Sequence, residues 1–122
     1  MYLDHLRAEG FVPELTGESE IRFKMEGGLY QILIDARDPV FFRLIYPSFR
    51  KIRDPQDRAR VEAAVNQATA NTKVAKVYLT KDDNVSAAVE LFCWPPEAFK
   101  PVFERSLQVL RYAVKDCKQH AG

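Results

Sequence analysis

The sequence is short of almost everything that announces a chemistry. It holds only two cysteines in 122 residues, too few for a disulfide framework. Eighteen Lys and Arg stand against seventeen Asp and Glu, so the formal charge of +1 supplies no long-range field to gather nucleic acid or an anionic membrane. The longest apolar runs are only a few residues, such as Ile32-Leu33-Ile34, far below the roughly 20 residues of a membrane-spanning helix. The start, Met1-Tyr2-Leu3-Asp4-His5-Leu6-Arg7, lacks a basic segment followed by an apolar one, and the expected location is the cytoplasm. No GxGxxG or GK[ST] loop is present to cradle a phosphate. What is present is an ordinary globular composition, 47% hydrophobic, 11% aromatic and 29% charged. At this length about two thirds of the unfolded surface can be buried, enough for one domain over residues 1–122 without metal or disulfide.

The spacing of apolar residues orders the elements. Tyr2, Leu3 and Leu6 repeat at helical spacing, and Gly10 followed by Phe11 closes a first helix near residue 9. Ile21, Phe23 and Met25 alternate with Arg22, Lys24 and Glu26, the pattern of a strand with one buried face. Gly27-Gly28 reads as the two-residue turn of a hairpin whose second strand runs from Leu29 to Ala36. A third strand is expected from Val40 to about Tyr46, where Pro47 ends regular pairing.

Asp54-Pro55-Gln56-Asp57 starts a second helix, with an N-cap carboxylate and proline at the first helical position, and Asn71 is a plausible left-handed cap at its end. Strands over Lys73–Thr80 and Val85–Phe92 follow, joined by Lys81-Asp82-Asp83-Asn84. After Trp94-Pro95-Pro96, residues 97–100 form an opening turn, and the last helix carries Phe99, Val102, Phe103, Leu107, Leu110, Val114 and Cys117 on its inner stripe. The expected fold is α+β: an antiparallel sheet of about five strands in the order α-β-β-β-α-β-β-α.

Strands two and three are apolar on both faces, and the helices offer unequal cover. The second helix presents a thin stripe, Val61, Ala64, Val65 and Ala68, whose small side chains suit close approach of another backbone. This mismatch points to a homodimer that uses that stripe and an exposed sheet face. Phe41, Phe42, Tyr46, Phe49 and Trp94 supply aromatic area of the kind enriched at protein interfaces, divided between core and partner surface.

Several stretches carry a family resemblance: Tyr2-Leu3-Asp4-His5-Leu6-Arg7-Ala8-Glu9-Gly10-Phe11, Ile21-Arg22-Phe23-Lys24-Met25-Glu26-Gly27-Gly28, Tyr30-Gln31-Ile32-Leu33-Ile34 and Phe41-Phe42-Arg43-Leu44. Together with the element order they resemble the YbjN-like family, bacterial proteins described as sensory transduction regulators, with a fold similar to type III secretion chaperones. The resemblance implies a small, dimeric, cytoplasmic α+β protein without established enzymatic activity or catalytic residues to carry over. The chaperone branch of that fold binds an extended peptide, which is the alternative reading here by fold analogy alone.

Residues that could carry chemistry read more simply as structure. Cys117 and His120 share a helical spacing that two metal ligands can use, but His5 and Cys93 complete no zinc pattern, so no metal or other cofactor is expected. Asp82-Asp83-Asn84 lacks the alternating ligands of a calcium loop and reads as a turn. Asp35 and Asp38 have no neighbouring histidine. Arg50, Lys51, Arg53, Arg58 and Arg60 are interrupted by Asp54 and Asp57, a solvated segment rather than a nucleic-acid patch. The expectation is a non-enzymatic binding or regulatory protein acting through protein contacts. The rival from another class is a small enzyme whose site assembles from scattered residues.

Overall fold

The computed structural model describes residues 1–122. Three helices pack on one face of a six-stranded, wholly antiparallel sheet. In chain order the elements are α1 (Tyr2–Ala8), β1 (Glu14–Thr16), β2 (Glu20–Met25), β3 (Gly28–Leu33), β4 (Phe41–Lys51), α2 (Pro55–Asn71), β5 (Ala75–Leu79), β6 (Asn84–Phe92) and α3 (Lys100–Ala121). The sheet order is β1-β2-β3-β4-β6-β5.

The local rules hold at the helix ends. Gly10 takes φ +89°, and the amides of Gly10 and Phe11 donate to the carbonyls of Arg7 and Leu6, both at 3.0 Å. These are the paired bonds of a Schellman cap, and Phe11 then packs on Phe23 with ring centres 5.2 Å apart. Asp54 caps α2 by accepting from the Asp57 amide at 2.8 Å, with Pro55 as the first helical residue. A 3-10 turn over Pro96–Phe99 precedes α3, as the position of Pro101 requires. The stripe of α3 is buried through Phe103, Leu107, Leu110, Val114 and Cys117, but Val102 is exposed at the rim. Phe99 and Phe103 meet Tyr2, Phe42 and Phe23 in an aromatic cluster that ties α1 and α3 to the middle of the sheet.

Four sequence expectations are corrected. The sheet has six strands rather than about five, because Glu14–Thr16 pairs with Glu20–Arg22; three residues are too few to show an alternation. The hairpin turn is Glu26-Gly27, not Gly27-Gly28, with φ of 48° and 81° and Met25 opposite Gly28. Gly28 is needed inside β3, since a Cβ there would stand 2.8 Å from Cε2 of Tyr46. Pro47 does not end β4: the register with β6 shifts between Tyr46 and Arg50, the Ser48 amide is satisfied by Ser86 Oγ at 2.8 Å, and pairing resumes at Arg50 with Val85. The proline therefore sits in a bulge, where its missing N–H costs no ladder bond. Finally, Asn71 remains helical, and α2 ends at Thr72 with extended backbone, φ −113° and ψ 142°.

A buried ion cluster locks the sheet to two helices. Arg50 on β4 grips Asp57 on α2 through two parallel bonds of 2.7 and 2.8 Å. The same guanidinium reaches the carbonyls of Ala121 and Gly122 at the end of α3, each at 3.3 Å, where positive charge complements the helix dipole. Asp57 is fully buried and also accepts from the Arg53 amide at 2.9 Å and from Arg60 at 3.1 Å. The Arg50 bonds and then the Arg53 amide hold its carboxyl well below the usual carboxylate range.

Candidate functional site: the open face of the sheet

Every core-facing strand residue joins one cluster with α1, α2 and α3, which leaves the opposite face of the sheet without a covering element. Period two decides which side chains occupy that open face. The strand register aligns them in rows across the sheet. One row runs Arg22, Gln31, Ile45, Ala88, Lys76; the next contains Arg43 opposite Glu90; at one end Phe41 stands opposite Phe92.

The open face has a polar middle and an aromatic end. Glu90 receives two cations, Arg43 Nε at 2.9 Å and Lys76 Nζ at 2.5 Å, from the strands on either side. Ile45 and Ala88 are buried without belonging to the main core, shielded on this face by their strand neighbours. At the aromatic end Phe41 and Phe92 pack with ring centres 5.7 Å apart. Phe92 is 78% exposed and Trp94 is 83% exposed, while Cys93 between them is buried. Strand alternation turns Phe92, the last residue of β6, to the open face, and Trp94 is exposed just beyond the strand end. Large aromatic side chains gain most when buried, so two of them exposed within three residues form a surface suited to being covered.

The candidate residues divide between this face and the core. Phe41 lies at the aromatic end against Phe92, and Trp94 is exposed two residues beyond the end of β6. Phe42 is core, stacked near Tyr2 and Phe99. Tyr46 and Phe49 are half-buried on the helical side, where Lys118 Nζ stands 6.0 and 5.8 Å from their ring centres. Val61, Ala64 and Ala68 are buried inside the chain and Val65 packs half-buried beside them, because α2 lies against α3 and β5. The small-residue stripe does serve close approach, but toward the chain's own α3. This corrects the expectation that α2 supplies a subunit interface. Phe92 was not among the candidates; its alternation with Cys93 was the signal.

The other sequence features resolve into local structure. Cys117 is buried, its thiol pushed up chiefly by burial, and His120 Nδ1 lies 2.8 Å from the Asp116 carbonyl oxygen. No three His, Cys, Asp or Glu side chains converge as metal ligands. Asp35 accepts from the Arg37 amide at 3.0 Å, and Asp82 accepts from Thr80, both as turn contacts. Within the basic segment, Arg50, Arg53 and Arg60 converge on Asp57 while Arg58 pairs with Asp83 and Glu62.

No protein-family model matches the chain, and no curated protein matches it. No helix is long and apolar enough to cross a membrane.

Proposed function

We propose that this is a non-enzymatic binding or regulatory protein of the YbjN-like type, acting through protein contacts made on the open sheet face, with a second copy of itself as partner. The observation that carries the reading is the exposure of Phe92, packed on Phe41 at the end of a sheet face that nothing in the chain covers, and of Trp94 just beyond that strand. Aromatic side chains at the centre of a desolvated patch supply most of the energy of typical interfaces. The ion pairs of Glu90 with Arg43 and Lys76 border the aromatic end on the side of the sheet's middle, as the polar edge of such a patch. A two-fold arrangement would set the same face of each copy against the other. The secretion-chaperone-like alternative, in which a peptide occupies the surface, rests on the same uncovered face.

Cross-linking between copies tests this. Protein of natural abundance is mixed with nitrogen-15-labelled protein and treated with an amine-reactive cross-linker. Mixed-isotope links should join Lys24 and Lys76, which lie on the open face, and should disappear in Phe92→Asp/Trp94→Asp. Intermolecular links confined to the α3 lysines, or none at all, would overturn the proposed surface.

A further inference from the structure

On the helical side of the sheet, α3 stands away from the β2–β3 hairpin and leaves a hollow of about 310 Å³ between them. Its base is aromatic: the rings of Tyr30 and Tyr46 meet edge to face at 5.0 Å above Gly28. Its helical wall is cationic, since Arg111, Lys115 and Lys118 recur at the spacing that places them on one side of α3. Arg111 is engaged, 2.5 Å from Glu26 on the hairpin turn. Lys115 and Lys118 have no carboxylate partner; Lys118 instead lies near the faces of Tyr46 and Phe49.

Tyr30 is the unusual member. It is 99% buried, since only 1% of its surface is exposed, yet its hydroxyl bonds to no protein group and the residue lines the hollow. Its oxygen is not one of the buried atoms left without a hydrogen bond, which are His5 Nε2 and Arg43 Nε, so the tip of the phenol opens to the hollow and can donate there. Burial pushes its pKa up to about 12, so the hydroxyl remains a donor throughout the neutral range. A protonated phenol and two unpaired ammonium groups are all donors. Glu26 is the acid in the wall, and Arg111 already holds it. Met25, Val114 and the tyrosine rings add apolar contact at the same place.

We propose that this hollow binds the carboxylate of an apolar-bodied acid, with Tyr30 donating a hydrogen bond and Lys115 and Lys118 supplying the charge. The two lysines alone would not assign a site, because basic residues late in a helix complement its dipole; a dipole role does not account for a third donor without a protein partner, the Tyr30 hydroxyl, opening to the same hollow. The acid can be a free small molecule or the end of a peptide chain, and the chemistry recognised is the same.

The full chain is titrated with 3-phenylpropanoate and with an acetylated tripeptide ending in a free phenylalanine carboxylate. Each is paired with its neutral amide, and binding is followed by amide shifts in two-dimensional NMR. At least one acid should give saturable shifts at Gly28, Tyr30 and Tyr46 with Kd of about 1 mM or tighter, while the amides give none. Saturation by the aryl acid alone identifies a free acid as the ligand type, and saturation by the peptide identifies a chain end. Tyr30→Phe should weaken binding about tenfold, the loss expected for one hydrogen bond to a charged group, and Lys115→Ala/Lys118→Ala at least as much. Both variants are scored only on spectra that show the native fold, with Lys115→Met/Lys118→Met as the replacement if the alanine pair unfolds. Absence of saturable shifts at these residues with both acids, equal binding of acids and amides, or unchanged affinity in Tyr30→Phe would overturn the assignment.

Discussion

Replacing Arg50 with methionine probes the joint that holds the sheet to α2 and α3. The side chain is only 14% exposed and its two short bonds to Asp57 are parallel, the strongest geometry available to a guanidinium. Methionine keeps much of the stem and removes the charge, so packing loss is small. A bond to a charged group contributes about 1.5–3 kcal/mol and removing one member of a buried pair costs about 3–5 kcal/mol. The Arg53 amide and Arg60 remain on the carboxylate. The cost of Arg50→Met should therefore fall at the low end, about 3 kcal/mol. For a chain of this size that is a fall of about 10 °C in thermal midpoint, or a shift of roughly 2 M in the urea midpoint at unchanged slope. Equilibrium urea unfolding followed by circular dichroism measures it. The double variant Arg50→Met/Asp57→Leu should recover part of the loss, because neither charge is then left buried alone. A single-variant cost below about 1 kcal/mol would refute the reasoning, and so would a double variant less stable than the single.

Ala64→Glu places a charge in a site that is 2% exposed, so it should destabilise the monomer by at least about 3 kcal/mol; a well-folded variant with an unchanged melting curve would show that α2 is not packed as described. The acid sensitivity of the fold has a definite sign. Asp57 is held below its unfolded value, so its contribution is fully present above the unfolded pKa of about 3.9 and is lost as pH falls through the folded value. Asp57→Asn should accordingly lose stability less steeply than the parent between about pH 5 and pH 2, and parallel curves would contradict this. Val74 is a β-branched residue at φ 68° and is 57% exposed, so Val74→Asn should raise stability by about 0.5–1 kcal/mol by relieving the left-handed strain; a lowered thermal midpoint would count against it.

The parts of the fold legible from sequence are those decided by neighbours along the chain. Gly10-Phe11, Asp54-Pro55 and the turn before Pro101 each encode a helix end within a few residues, and each is found where expected. What could not be read depends on distant contacts. Nothing near Gly27-Gly28 reveals that Tyr46, eighteen residues beyond Gly28, packs where a Cβ would stand and so moves the turn by one residue. Pro47 looks like a strand end until Ser86 supplies an acceptor for the Ser48 amide. The alanine stripe of α2 correctly signals close packing but cannot say against what, since α3 and a second subunit present the same kind of surface. The open face was legible in outline because both-sided apolar strands need two covers. Its aromatic end was half legible: Phe41 and Trp94 stood out as aromatics, whereas Phe92 required knowing that Cys93 points inward.

Light scattering coupled to size-exclusion chromatography, applied to the unmodified protein and to Phe92→Asp/Trp94→Asp at micromolar concentration, addresses the proposed surface most directly. Twice the chain mass of 14.0 kDa is expected for the former and a folded species of one chain mass for the latter. A single chain mass for the unmodified protein, or a dimer that survives both substitutions, would contradict it.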